Sequence, residues 1–598
     1  MSEQKKPVFD WALLNRIVRL ATPYRTVFYG SLLLSAVLAA LSIARPLLVI
    51  YTVDTYIARR PFQAEGLRNM ALLMAVLLFA EAALRYGFNY LTAWLGQSIV
   101  KDLRTATFNH LIHAKLAYYD RTPIGTSTTR TITDIEAIND IFSEGLISIV
   151  ADLLTIAAVL GAMFYTNWKV ALASVAVLPV LLWVTRWFQR GVKRAFQDER
   201  TEIGRMNAFL QERITGMRII QIFHAEEQER KKFDAINQSL LQANLRSIWY
   251  YSLFFPAVEI CLAVAIGLMV WMASHEILRG SPSSTQIVTL GDVGIISGFL
   301  LMINMLFRPL RIIADKVNII QRGLVASERV FRLLDSPLRP KDNGRLSPDR
   351  LQGHIAFRDV WFSYGRDEWV IKNLSFSINA GETLAIVGPT GSGKTTVISL
   401  LGRFYEVQRG NILIDGTDIR HYKMAALRRR MAVVLQDVFL FDGSIHDNIT
   451  LRNPSITRRE VIHAASLIGA HEFIIKLPGG YDYRVMERGA TLSVGQRQLI
   501  SFVRALVHQP DILILDEATS SIDSESEAII QQATEKLVEG RTSVVIAHRL
   551  STIRHAHKIL VLQRGELAEF GTHEELYRAN GPYRRLYDMQ FARSHYTT

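Results

Sequence analysis

Gly388-Pro389-Thr390-Gly391-Ser392-Gly393-Lys394-Thr395-Thr396 decides how this chain is read. Before it stands a short β-branched run, residues 384–387, and after it an apolar helical stretch, residues 396–401. Strand, glycine loop and helix in that order are what a phosphate-binding loop requires. The glycines let backbone N–H groups close around phosphate oxygens, and the helix start adds partial positive charge. Lys394 is expected to reach the β- and γ-phosphates, and the Thr395 hydroxyl to ligate Mg²⁺.

Downstream, residues 512–515 form a fully apolar run of the kind found inside a parallel sheet. Asp516 at its end is placed to face the loop and hold Mg²⁺, and Glu517 to polarise an attacking water. Phosphoryl transfer needs positioning and charge neutralisation, so one carboxylate beside the metal suffices as base. A second apolar run, 543–547, ends in His548, which suits a γ-phosphate contact. Between loop and acids lies Leu492-Ser493-Val494-Gly495-Gln496, whose Ser and Gly at a helix start can offer N–H groups to a phosphate.

Upstream the composition changes. The 598 residues are 49% hydrophobic, with positive mean hydropathy, which is unusual for a soluble chain of this length. Residues 26–44 carry no charge and suffice to cross about 30 Å of hydrocarbon at 1.5 Å per residue. Similar runs recur at 69–100, 146–168, 170–185, 247–274 and 293–307, the third and fourth forming a hairpin. The long polar intervals between spans two and three and between four and five are rich in Arg and Lys, which places them and both termini in the cytosol. They read as helices extending the spans, turning near Asp120–Gly125 and Gly216–Gln221. An amphipathic helix at 9–24 is expected in the membrane interface. The formal charge of +13 is therefore mainly topological, and with no basic–aromatic module nucleic acid is excluded as a partner. The single cysteine, Cys261, rules out an intrachain disulfide, and the polar opening 1–10 reads as no cleavable signal.

Charges inside the spans, Arg45, Glu81, Arg85, Asp152 and Glu259, must face protein or water. Glu81 and Arg85 are spaced to neutralise each other on one helix face. For Glu259, cavity lining and an interhelical hydrogen bond both stay open. After residue 335 a Pro- and charge-rich stretch intervenes, and from His354 short strands begin. The expected organisation is a transmembrane domain at 1–335, a linker at 336–352 and an α/β nucleotide-binding domain at 353–598.

On these motifs the chain resembles an ATP-binding-cassette (ABC) half-transporter of the exporter type, the type IV fold. That fold is a polytopic α-helical membrane domain of six helices with long cytosolic extensions, fused to an α/β P-loop nucleotide-binding domain. The resemblance implies ATP and Mg²⁺ as cofactors, ATP held by Tyr364, Gly388–Thr396 and Gln436, and Mg²⁺ held by Thr395, Gln436 and Asp516. It implies catalysis by Glu517 and His548, a dimer-crossing role for Asp523, and capping of the partner's ATP by Leu492–Gln496. The turns near Asp120–Gly125 and Gly216–Gln221 resemble helices that couple the domains. Location follows: a multi-pass protein of the cell (inner) membrane with its nucleotide-binding domain in the cytosol, handling an amphipathic small molecule, drug or lipid.

The sequence departs from the family where Val494 replaces a signature glycine and Met486 a glycine in the preceding loop. Intact Glu517 and His548 beside an altered signature look similar to MdlB-like multidrug-resistance-type subunits, which favours a heterodimer with a second half-transporter, a homodimer remaining open. ATP-driven export is the leading expectation; an ATP-gated channel or regulator, or an importer on the same fold, are the alternatives. A purely soluble ATPase is excluded by the spans.

Overall fold

The structure is a computed structural model that describes residues 11–57, 64–279, 291–365, 368–516, 524–547 and 549–591. Its contacts form two compact units, Met1–Ile112 with Thr122–Pro337, and His113–Arg121 with Leu338–Thr598.

The first unit is helical. Its long helices are Arg25–Thr52, Ala64–Ile112, Ile147–Thr166, Leu178–Thr215, Glu226–Arg279 and Gly291–Asp335. Among the described residues, five stretches are long and apolar enough to cross a membrane, and the last helix carries a shorter apolar stretch, Gly294–Leu310, where the sixth span is expected. Ala64–Ile112 has 49 residues, which at 1.5 Å each makes roughly 74 Å, more than twice a bilayer core. The surplus forms the polar extensions.

Side-chain size sorts the faces of these helices. In Arg25–Thr52 the buried positions include Ser31, Ser35, Ala39 and Ser42, whereas Tyr29, Leu33 and Val37 are exposed. The hydroxyls donate to carbonyls in their own helix, Ser31 to Val27 at 2.8 Å and Ser42 to Ala39 at 2.8 Å, so their burial leaves no unmet polar group. Small residues inside and large apolar ones outside is the membrane arrangement, because close backbone approach replaces hydrophobic burial as the cohesive force. Gly298 follows the same rule: a β-carbon there would stand 2.2 Å from Ile50 Cγ1.

The hairpin between the third and fourth spans is set by Asn167. Its backbone is extended (φ −156°, ψ 105°), and its side chain accepts from the N–H groups of Lys169 and Val170, capping Trp168–Val175. The expected amphipathic helix is present as Trp11–Arg19. Leu14 and Ile17 are buried within the unit's own apolar cluster, with Phe331, rather than being left to lipid. Arg16 fixes it with two hydrogen bonds to Asp335, 2.6 and 2.7 Å, and lies 4.1 Å over the Phe331 ring.

The second unit holds two main sheets. One is antiparallel, in the order Ile371–Ile378, Ile355–Phe362, Arg409–Ile414, Thr417–Asp418. The other is six-stranded, in the order Glu566–Gly571, Lys558–Gln563, Thr383–Val387, Thr542–Ile546, Ile512–Asp516, Met431–Val434. All its neighbours are parallel except the first pair. Thr383–Val387 and Thr542–Ile546 are buried along their whole length, as central strands covered on both faces must be. Just before Ile355–Phe362, the N–H groups of Gln352, Gly353 and His354 all donate to the Asp415 carboxylate at 2.8–2.9 Å.

Candidate functional site

The phosphate-binding loop leaves the central strand at Val387, and its shape is imposed from one side. Gly388 has φ +156°, and a β-carbon on it would lie 2.2 Å from the Leu562 carbonyl oxygen. Only glycine fits there. The Ser392 carbonyl accepts from Gly565 N–H at 3.1 Å, so the strand Lys558–Gln563 meets one end of the loop and the turn after it the other. Gly393, at φ +104°, precedes the helix Lys394–Leu401.

Inside this cradle Lys394 is 9% exposed, and its Nζ donates to the Gly388 and Pro389 carbonyls at 2.8 and 3.0 Å. Burial pushes its ammonium below the ordinary lysine range, and the nearby Asp516 carboxylate pulls it partly back. Ser392 is buried, and its hydroxyl has no hydrogen-bond partner among the described residues. Thr395 is exposed. A buried amine curled onto its own loop, an unsatisfied hydroxyl and the backbone donors of a glycine turn suit a polyphosphate. The Thr395 hydroxyl and Asp516 carboxylate are the oxygen donor types that Mg²⁺ takes.

The sheet register brings the other residues to the same edge. Ile546 pairs with both Asp516 and Ile386, and Val434 pairs with Leu515. Asp516, the exposed Gln436 beyond Met431–Val434 and the phosphate loop therefore share the carboxyl ends of parallel strands, where such sheets bind ligands. Glu517, His548 and Asp523 lie outside the described residues.

The signature stretch lies elsewhere. Along Ile512–Asp516 the side chains alternate between faces. Ile512 and Ile514 join the apolar cluster that contains Val397, Ile398, Leu400 and Leu401 of the phosphate-loop helix. Leu513 and Leu515 join a different cluster, with Leu499, Ile500, Phe502 and Val503 of the helix Val494–Val507. The two helices thus cover opposite faces of one sheet. Ser493 caps the second helix by accepting from Gln496 N–H at 3.2 Å, while Gln496 Oε1 accepts from Ser493 N–H at 3.0 Å, a capping box. Leu492 and Gly495 are buried; Ser493 and Val494 face outward, Val494 being 48% exposed.

Tyr364 stands at the loop's other flank, 41% exposed, sharing a 3.1 Å hydrogen bond with Thr396 Oγ1 and meeting the Tyr405 ring edge-on at 5.0 Å. This aromatic group also receives the segment His113–Arg121, which belongs to this unit. Its helix Leu116–Arg121 delivers Asp120 as acceptor for the Tyr405 hydroxyl, and Arg121 as donor to the Tyr364 carbonyl. Burial, then Asp120, push the Tyr405 hydroxyl well above the ordinary tyrosine value. Tyr405 and Arg121 carry no motif of their own, and sequence reading missed the pairing. The placement of a breaker-rich turn far from the spans was the only signal.

The model of the ABC transporter transmembrane region matches residues 28–305, and the ABC transporter model matches residues 371–520. An uncharacterized ABC transporter ATP-binding protein of Bacillus subtilis (strain 168), YknV, is 36% identical over 597 residues, 98% of this chain and 96% of that protein. An ATP-dependent lipid A-core flippase of Syntrophus aciditrophicus (strain SB) is 33% identical over 581 residues, 97% of this chain and 94% of the flippase. Among solved structures, that of a bacterial Atm1-family ABC exporter with ATP bound superposes with a TM-score of 0.75 at 29% identity, covering 97% of this chain and 99% of the exporter.

Proposed function

We infer the function from one premise: the chain belongs to the ABC transporter family, as a multi-pass membrane half-transporter of the exporter type whose ATP hydrolysis is coupled to export. Residues 353–598 form the nucleotide-binding domain, joined by a linker at 336–352 to a transmembrane domain at 1–335. ATP lies with its phosphates in the Gly388–Thr396 loop and its base against Tyr364. Lys394 exchanges its two carbonyl partners for β- and γ-phosphate oxygens. Thr395, Asp516 and Gln436 hold Mg²⁺, which when bound neutralises charge on the phosphates. Glu517 takes the proton of the attacking water, and His548 contacts the γ-phosphate.

The observation that carries this reading is the separation of the two helices by the sheet. A signature on the far face cannot cap the nucleotide held by its own chain's Lys394. A second half-transporter supplies the cap through its own signature stretch, and Ser493 and Gly495 of this chain do the same for the partner. Asp523 crosses between them. The outward-facing Val494 in place of glycine supports a heterodimer, in which this chain's altered signature completes the partner's weaker site. The cargo is an amphipathic small molecule, drug or lipid, as names such as the lipid A-core flippase among the relatives suggest. The setting is the cell (inner) membrane, with the nucleotide-binding domain in the cytosol.

The test is ATP hydrolysis by the purified chain, alone and with a candidate second subunit, in wild type and in Lys394→Ala. Loss of nucleotide binding in Lys394→Ala, with activity that depends on dimer formation, is expected. Full hydrolysis by a strictly monomeric chain would overturn the reading.

A further inference from the structure

Four helices of the first unit, Arg25–Thr52, Ala64–Ile112, Ile147–Thr166 and Gly291–Asp335, enclose a cavity of about 330 Å³. That is within the roughly 300–1,000 Å³ of small-molecule sites. Its wall is charged: Arg45, Arg85, Arg308 and Lys316 are cations, Glu81 and Asp152 carboxylates.

The pairing inside it is unequal. Arg85 donates to Glu81 at 3.0 Å, one turn away on its own helix. Lys316 forms an ion pair with Asp152 across helices and also reaches the Ser148 hydroxyl. Both carboxylates are thereby used. Arg45 and Arg308 have no acidic partner among the described residues. Yet Arg45 lies within the candidate span Thr22–Ile57, and Arg308 within the apolar stretch Gly294–Leu310. A guanidinium held at such depth without a counter-charge is costly, and such residues mark ligand paths rather than packing. Their fixed forks of donors match a phosphate or carboxylate in two-toothed fashion.

We propose that this cavity holds the oxyanion headgroup, a phosphate or carboxylate, of an amphipathic cargo, with Arg45 and Arg308 as its direct contacts. The proposal rests on the export reading above and narrows its cargo to anionic amphiphiles. The ion pairs Glu81–Arg85 and Asp152–Lys316 line the same cavity. They leave the site with a net charge of two positive groups, which selects against cationic compounds by repulsion as well as for anions by attraction.

The test is direct binding to the purified full-length transporter without nucleotide. Short-chain phosphatidic acid, the matched phosphatidylcholine, a matched quaternary-ammonium amphiphile and inorganic phosphate are titrated in turn. Phosphatidic acid is expected to bind about tenfold or more tightly than the zwitterionic lipid, the worth of one charge-assisted contact. Arg45→Gln and Arg308→Gln are each expected to weaken it about tenfold while sparing the quaternary-ammonium amphiphile, with Arg308→Lys, which keeps the charge but loses the fork, restoring only part of the affinity. Displacement of the lipid by inorganic phosphate assigns the recognition to the free oxyanion; selective lipid binding without displacement assigns it to the headgroup of a lipid. Equal binding of all amphiphiles, or headgroup preference unchanged in both glutamine variants, overturns the proposal. The headgroup comparison needs no variant. Because no ATP is present, a negative result leaves the catalytic assignment standing, and an inactive Lys394 site leaves this measurement intact.

Discussion

Gly388 and Leu562 meet so closely that a single added methyl group on the first would stand 2.2 Å from the carbonyl oxygen of the second. The loop that faces phosphate is thus shaped by the backbone of a neighbouring strand as well as by its own Lys394. Gly388→Ala should therefore cost about 1–3 kcal/mol of stability in the soluble unit, the range for an imposed backbone strain. It should also weaken ATP binding. Thermal unfolding with and without nucleotide checks both, and an unchanged midpoint would exclude the clash.

Glu517→Gln and Lys394→Ala should fail differently. The first is expected to lose about 10²–10⁴-fold in hydrolysis while still binding ATP, as removal of a general base does. The second loses binding itself, since a buried cation is taken from the loop. Equilibrium binding and steady-state hydrolysis, measured on the same preparations, separate them.

Asp120 joins Tyr405 at the point where the segment His113–Arg121 docks. Asp120→Ala removes the acceptor and leaves the phosphate loop untouched. Cargo stimulation of hydrolysis should fall about tenfold, a coupling loss on the order of 1.4 kcal/mol, with hydrolysis in the absence of cargo retained. Equal losses in both would place the residue in catalysis instead.

Two half-buried histidines predict an acid limb of stability. Burial, aided by Arg504, lowers His508 below its ordinary 6.5, and burial lowers His573 likewise. His508 Nε2 is buried with no hydrogen-bond partner among the described residues, and His573 Nδ1 bonds the Tyr583 hydroxyl. Between the lowered value and 6.5 the unfolded chain binds more protons than the folded one, so stability rises with pH. It is fully present above pH 6.5 and declines as pH falls below it. Unfolding temperatures from pH 7.5 to 5.5 should show this fall, with a shallower slope in His508→Gln/His573→Gln.

Val494 is exposed at the start of its helix, beside the exposed Ser493. Val494→Gly should raise hydrolysis at the partner's site if the branched side chain hinders capping there. Ser493→Ala should lower it and cost about 1 kcal/mol of stability through the lost cap. Hydrolysis by the assembled pair, with the other site disabled, reads out each.

The phosphate loop was legible because glycines, Lys394 and the flanking strand and helix are consecutive in the chain. The membrane helices were legible from long apolar runs, and the Glu81–Arg85 pair from its spacing. Arg308 and Lys316 were not, because the apolar run stops at Phe307 and everything beyond reads as cytosolic extension. Nor could sequence show which faces the two key helices take. Residues 512–515 are apolar throughout, so alternation, visible only when one face is polar, is masked. Tyr405 and Asp120 are 285 positions apart, and no local pattern links them. Glu259 sits on an exposed flank and does not line the charged cavity.

His113–Arg121 has its contacts in the ATP-handling unit, yet the chain on either side of it belongs to the helical one. Severing the polypeptide near residue 337 would consequently not liberate a finished ATPase. A fragment beginning at Leu338 would lack a nine-residue plug supplied from far upstream, baring Tyr405 and the carbonyl of Tyr364. Such a fragment should be sticky and poorly behaved until a peptide of that plug is added back.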